Sequence, residues 1–137
     1  MLQRYLTLRR PIKGFHLANF PTMAVKYPIT VTPANRTKLH TVDFSNLPFG
    51  KVISDHMFIA DYDGEKWVNP RIEPYQNLEM APSNLALHYG QSIFEGMKAT
   101  KINGTPVLFR ADMHARRLNV SAERMCMPNL PEDLFLQ

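Results

Sequence analysis

Two dipeptides, Asp63-Gly64 and Asn103-Gly104, restrict the folding of this chain more than any other feature in it. Asp and Asn tolerate the left-handed backbone that a two-residue hairpin turn demands, and Gly adopts it freely, so each pair marks a point where a strand turns back. Val52 to Tyr62 is rich in β-branched and aromatic residues and leads into the first pair; Glu65 to Val68 returns from it, with Trp67 on one face. Lys98 to Ile102 and Pro106 to Arg110 flank the second pair. Ile72 to Met80 reads as extended, but Pro74 has no N–H for a strand ladder, which places this stretch at an edge or beside a bulge.

Helical spacing appears between and after the hairpins. Ser83 to Met97 reads as a loop that passes into a short helix. Asp112 to Met127 reads as a longer one, with Leu118, Ala122 and Met125 on one apolar face, an acid near the start to suit the helix dipole, and Pro128 at the end. A further helix begins around Pro131-Glu132-Asp133. The predicted fold class is therefore α/β, a mainly antiparallel sheet with packed helices.

A chain of 137 residues can bury one core. No apolar run approaches the roughly 20 residues that cross a bilayer, so no membrane partner is expected. The formal charge of +4 is unevenly spread, since Met1 to Val42 holds no acid but carries Arg4, Arg9, Arg10, Lys13, Lys26, Arg36 and Lys38. Residues 1–41 read as a basic arm, extended or poorly ordered. An Arg-rich, acid-poor start of this kind is compatible with organelle targeting or with a nucleic-acid arm. The basic residues are not interleaved with aromatics as a base-stacking platform requires, which argues against a nucleic-acid partner. Cys126 is the single cysteine, so no internal disulfide can form, and its apolar helix-end setting predicts a buried, inert thiol. The histidines at 16, 40, 56, 88 and 114 have no metal-ligand spacing, and no metal is expected. Asp55 and His56 are adjacent on a strand and point to opposite faces, so they read as structural.

Arg116 and Arg117 are the residues with most chemical interest. Asp112 lies four positions before Arg116 and accounts for it as a helical ion pair. Arg117 has Met113, His114, Val120 and Ser121 as its helical neighbours, none acidic, and adjoins the apolar face at Leu118. A guanidinium so placed needs an anion from elsewhere. Pattern alone leaves open a tertiary salt bridge, a snorkelling stem, and a bidentate grip on a phosphate. Phe49, Tyr89 and Phe94 read, on spacing alone, as core aromatics.

The run Leu87-His88-Tyr89-Gly90-Gln91-Ser92-Ile93-Phe94-Glu95-Gly96-Met97-Lys98-Ala99 is followed by Phe109-Arg110 and His114-Ala115-Arg116-Arg117-Leu118. With Phe49-Gly50-Lys51, Ser54-Asp55-His56-Met57, Pro70-Arg71-Ile72 and Pro74-Tyr75-Gln76-Asn77-Leu78, it resembles the small N-terminal domain of the branched-chain amino-acid aminotransferases, pyridoxal-phosphate enzymes of fold type IV. The resemblance covers nearly everything from Val42 to Pro128. It implies an aminotransferase small domain over residues 42–137 and pyridoxal 5'-phosphate as cofactor. Arg117 would hold the cofactor phosphate, and Phe49, Tyr89 and Phe94 would wall the pocket for an aliphatic side chain, the Tyr89 hydroxyl adding a polar contact. The implied reaction moves an amino group between leucine, isoleucine or valine and 2-oxoglutarate.

The Schiff-base lysine and the carboxylate facing the pyridine nitrogen belong, in that family, to a later domain; Lys98 matches a strand residue instead. The expectation is a chain truncated before that domain, inactive by itself and without a catalytic residue of its own. The family also implies a homodimer and a cytoplasmic location, or an organellar one if residues 1–22 form a transit peptide. Met23-Ala24-Val25-Lys26-Tyr27-Pro28 resembles the start of bacterial members, so residues 1–22 also read as a mis-assigned extension. A D-amino-acid aminotransferase or aminodeoxychorismate lyase of the same fold, and a non-catalytic binding module, remain as alternatives.

Overall fold

The structure, a computed structural model, describes residues 27–137. The expectations for residues 1–22 lie outside the described residues. Among the described residues, five strands, three α-helices and a short 3-10 helix (Leu39–Thr41) include a three-stranded sheet, a separate two-stranded hairpin and a packed helical pair.

Strands β2 (His56–Tyr62) and β3 (Trp67–Pro74) form the first antiparallel hairpin, with Tyr62 opposite Trp67. Their rings pack with centroids 5.5 Å apart, the cross-strand aromatic contact that stabilises such a pair. The connection is not the two-residue turn predicted from Asp63-Gly64. Asp63 Oδ1 accepts hydrogen bonds from the backbone N–H groups of Glu65 and Lys66, both at 2.9 Å, and the Asp63 N–H donates to the Lys66 carbonyl at 3.1 Å. The aspartate side chain thus organises a four-residue loop, and the return strand starts at Trp67 instead of Glu65.

Strand β2 starts four residues later than predicted, because Val52 and Ile53 have no partner opposite them. The Tyr75 N–H donates to the Asp55 carbonyl at 2.9 Å just past the last rung, where β3 ends on Pro74. The bulge falls earlier, where Asn69 and Pro70 together face Ala60 and Asn69 takes φ 51°. That extra residue lets a proline sit inside the central strand. Strand β1 (Thr30–Val31) lies parallel to β3 on its other side, Thr30 opposite Arg71. The described part of the N-terminal arm is therefore tied into the sheet. It is fastened further by Asp55, which accepts from the Thr37 hydroxyl (2.6 Å) and the Lys38 N–H (3.1 Å), and by His56 Nε2, which accepts from the Ala34 N–H at 2.9 Å. Asp55 and His56 thus do structural work, but not from opposite faces of a strand as read from the sequence: Asp55 precedes β2, and both side chains fasten residues 34–38.

Strands β4 (Ala99–Ile102) and β5 (Thr105–Leu108) form the second hairpin, joined by Asn103 and Gly104 at φ 49° and 83°. Both central residues are left-handed, the conformation expected of a tight hairpin turn. Between the hairpins the order is the reverse of the prediction. Helix α1 (Leu85–His88) comes first, capped by the Asn84 side chain, and residues 89–98 follow as loop. Gly90, at φ 62°, ends the helix.

Helix α2 (Ala111–Arg124) packs against α3 (Glu132–Leu136), and the buried core is Ala115, Ala122 and Leu134. The Asn119 amide donates to the Leu130 carbonyl and accepts from the Leu130 N–H, clamping the connection between them. The inward stripe runs through residues 115, 118, 119 and 122; Met125, placed on that face from the sequence, is the helix cap and is exposed. Cys126 corrects another expectation. It is exposed, not buried, and sits at φ 53°. The Met127 N–H donates to the Ala122 carbonyl and the Cys126 N–H to the Glu123 carbonyl, a Schellman cap with cysteine in the position usually held by glycine. Trp67 Nε1 donates to the Asn129 carbonyl at 2.8 Å and so links the first hairpin to the helices.

Candidate anion site on helix α2

Arg117 lies in the middle of α2, and its guanidinium meets the one carboxylate in the loop that precedes β4. Nε donates to Glu95 Oε2 at 2.6 Å, and Nη2 donates to Glu95 Oε1. Nδ1 of His114, one turn earlier on the same helix face, also donates to Glu95 Oε1, at 2.8 Å. An ionised carboxylate accepts only, so this contact places the proton on Nδ1. The Glu95 side chain is 6% exposed, and the hydrogen bonds from Arg117 and then His114 hold its pKa down at about 2. The same carboxylate raises the pKa of Arg117.

The counter-ion that α2 itself cannot supply to Arg117 therefore comes from a residue 22 positions earlier. Arg117 is 64% exposed, not turned inward as its place beside the apolar face suggested. Among the described residues no protein group bonds its Nη1. Arg116 also departs from expectation: its partner is Glu132 of α3, at 3.6 Å, while Asp112 pairs with Arg110 at 3.3 Å. That pairing lowers the Asp112 pKa.

These cations share a surface. Phe109, Arg110, Met113, His114, Arg116, Arg117 and Val120 line an open cavity of about 530 Å³. Each of its three guanidiniums is held by a carboxylate, which fixes orientation and leaves further N–H donors free. Planar donor forks of this kind match the oxygens of a phosphate or carboxylate.

The aromatic residues singled out from the sequence are all exposed, so none is a core residue within the described chain. Phe49 lines an apolar cavity of about 480 Å³ with Leu39, Val42, Phe44, Val52 and Ile53. Phe94 lines a third cavity with Ile93, Ser121, Arg124 and Met125, and Tyr89 lines none of the three. The four predicted site residues thus occupy separate surfaces. Phe94 and Arg117 are linked through Glu95, which follows Phe94 in the chain and accepts hydrogen bonds from Arg117. Glu95 was the residue that sequence reasoning passed over, although it is the sole charge within Ser92-Ile93-Phe94-Glu95-Gly96-Met97. A lone acid in an apolar loop is itself a signal of a tertiary partner.

The donor chemistry fits the phosphate tail of the cofactor implied by the sequence, through Arg117 with Arg110 and Arg116 around the same cavity. No lysine lines that cavity. Among the described residues no three His, Cys, Asp or Glu side chains cluster to hold a metal ion, and no helix is long and apolar enough to cross a membrane.

The chain is thus a small α/β domain of mostly antiparallel strands with an arginine-lined cavity on helix α2. Comparison with known proteins narrows the class. No protein-family model matches the chain. Over 97 residues it is 48% identical to branched-chain-amino-acid transaminase 1 of Bacillus subtilis, an alignment covering 69% of this chain and 27% of that one. It is 45% identical over 103 residues to branched-chain-amino-acid aminotransferase 2 of the same organism, covering 74% and 28%. The cytosolic branched-chain-amino-acid aminotransferase of Saccharomyces cerevisiae is 43% identical over 119 residues, 84% of this chain and 31% of that protein. The chain therefore spans between about a quarter and a third of the length of these curated relatives, and is similar to one part of them.

Proposed function

We propose that this chain corresponds to the small domain of a branched-chain amino-acid aminotransferase of fold type IV, with Arg117 holding the phosphate of pyridoxal 5'-phosphate. The observation that carries the reading is Arg117, held by Glu95 with its outer edge open to an arginine-lined cavity. Similarity to several proteins named for branched-chain amino acids favours this substrate class over the sibling activities of the fold.

In this reading Arg117 would hold the cofactor phosphate through its Nη donors, with the further N–H donors of Arg110 and Arg116, each paired with a carboxylate, beside it. When bound, the cofactor supplies the electron sink that makes the α-proton of an amino acid removable. Phe49, Tyr89 and Phe94 are exposed and apart in this chain; in the parent enzyme further chain would cover them and complete a pocket for the aliphatic side chain, where each buried methylene contributes about 0.8 kcal/mol towards preferring leucine, isoleucine or valine over polar substrates. The residue that links covalently to the cofactor is supplied by another part of the parent enzyme, a homodimer of the cytoplasm that exchanges amino groups between these amino acids and 2-oxoglutarate.

The test uses pyridoxine 5'-phosphate, which keeps the ring and phosphate and has no aldehyde to react with surface lysines. Calorimetric titration of the 137-residue chain should show binding that Arg117→Gln weakens by about tenfold, the scale of one lost charge-assisted contact. Equal binding by both chains would remove Arg117 from the role.

A further inference from the structure

We propose that Glu95 is a positioning residue that aims Arg117 at the phosphate, an inference that rests on the reading of Arg117 just given. A guanidinium has five N–H donors arranged along two usable edges. Glu95 takes the side edge through Nε and Nη2, which leaves the end edge, Nη1 with the outer proton of Nη2, for a second bidentate acceptor. Phosphate binding and the Glu95 contact are therefore compatible on one side chain.

The carboxylate is itself fixed. It is almost fully buried, and the two side chains that bond it stand one turn apart on α2. An arginine otherwise 64% exposed would sample many rotamers; bridged to Glu95, its plane is set before any anion arrives, so less freedom is lost on binding. Glu95 also follows Phe94 directly, so the contact that orients the phosphate arm fastens the loop carrying a proposed substrate wall.

This makes a counter-intuitive prediction about sign. Removing a negative charge beside an anion site should tighten anion binding if Glu95 only competes for Arg117. If Glu95 positions Arg117, Glu95→Gln should instead weaken pyridoxine 5'-phosphate binding to the 137-residue chain, by about fivefold, the scale of one ordinary net hydrogen bond. The Arg117 Nε–H resonance should be distinct and slowly exchanging in the unaltered chain, where Nε donates to Glu95, and should merge with those of solvent-exposed arginines in this variant. Unchanged or tighter binding by Glu95→Gln would overturn the proposal. Arg117→Gln separates the two levels: if it binds as the unaltered chain does, the phosphate reading falls; if it weakens binding and Glu95→Gln does not, the positioning role alone falls. Should Glu95→Gln lose helical circular dichroism, Glu95→Asp carries the test, since it keeps the charge and shortens the reach. Weaker binding with an intact helix supports positioning, and unchanged or tighter binding overturns it.

Discussion

Glu95 and Arg117 couple the site to pH in a direction that can be worked out. The carboxylate pKa is lowered from 4.5 to about 2 by donors that exist only in the folded chain. A group depressed in this way adds stability that is fully present above its unfolded value and is lost as pH falls through its folded value. The stability difference between the unaltered chain and Glu95→Gln, read from urea midpoints, should therefore hold above about pH 4.5 and shrink between pH 4.5 and 2. A difference that stays flat across that window would contradict the assigned partners. The pair also shows what a sequence hides. That Arg117 has no acid three or four positions away on its own helix was readable from its neighbours, and so was its need for a partner from elsewhere. Which residue would answer was not, because the partner arrives from a loop whose path depends on tertiary packing. Arg116 failed for the same reason: Asp112 stands at the right helical spacing, but Arg110 and Glu132 compete for the two ends of that pair.

At the scale of elements, local chemistry was legible wherever a backbone requirement decided the outcome. Asn103-Gly104 turns as its residue types demand. Asp63-Gly64 resembles it in sequence, yet the Asp63 carboxylate caps two N–H groups and builds a longer loop. These bonds are local, reaching only two and three residues on, so Asp63-Gly64 offers both a tight turn and an aspartate-capped longer loop, and the dipeptide alone does not choose between them. Helix α2 was legible from its period, whereas its end was not: it stops at Arg124, three residues before the Met127 expected from Pro128, because Cys126 turns left-handed in the cap and nothing in the composition marks it so. That cap yields a prediction. A non-glycine residue in this conformation is strained, so Cys126→Gly should raise stability by about 0.5–1 kcal/mol, after allowance for the freer unfolded chain. Urea denaturation followed by helical circular dichroism checks it, and a loss of stability would show that the Schellman cap is not formed in solution.

Across the molecule, the described residues bury three small or medium apolar side chains and leave many large ones exposed, among them Phe44, Leu47, Phe49, Leu87, Tyr89, Phe94 and Phe109. Phe44, Leu47 and Phe49 gather round one cavity, and an exposed apolar patch of this kind binds hydrophobic probes and favours association. Fluorescence of an anilinonaphthalene dye should rise with the chain present and fall when Phe44 and Phe49, which line one apolar cavity, are both changed to serine. An undiminished signal would place the exposed surface elsewhere. The family resemblance was readable from motifs because those motifs combine glycine, aromatic and charged positions at fixed intervals. The scatter of Phe49, Tyr89, Phe94 and Arg117 over separate surfaces was not, because their convergence is not a property of spacing. The central claim is that a phosphate, and not a ring or an aldehyde, is what Arg117 recognises. The direct measurement is the side-chain ¹⁵N–¹H spectrum of the arginine-labelled chain during parallel titrations with pyridoxine 5'-phosphate and with pyridoxine. The account predicts that the Arg117 Nη signals shift with the phosphorylated compound and stay in place with the other; equal response to both, or none to either, would contradict it.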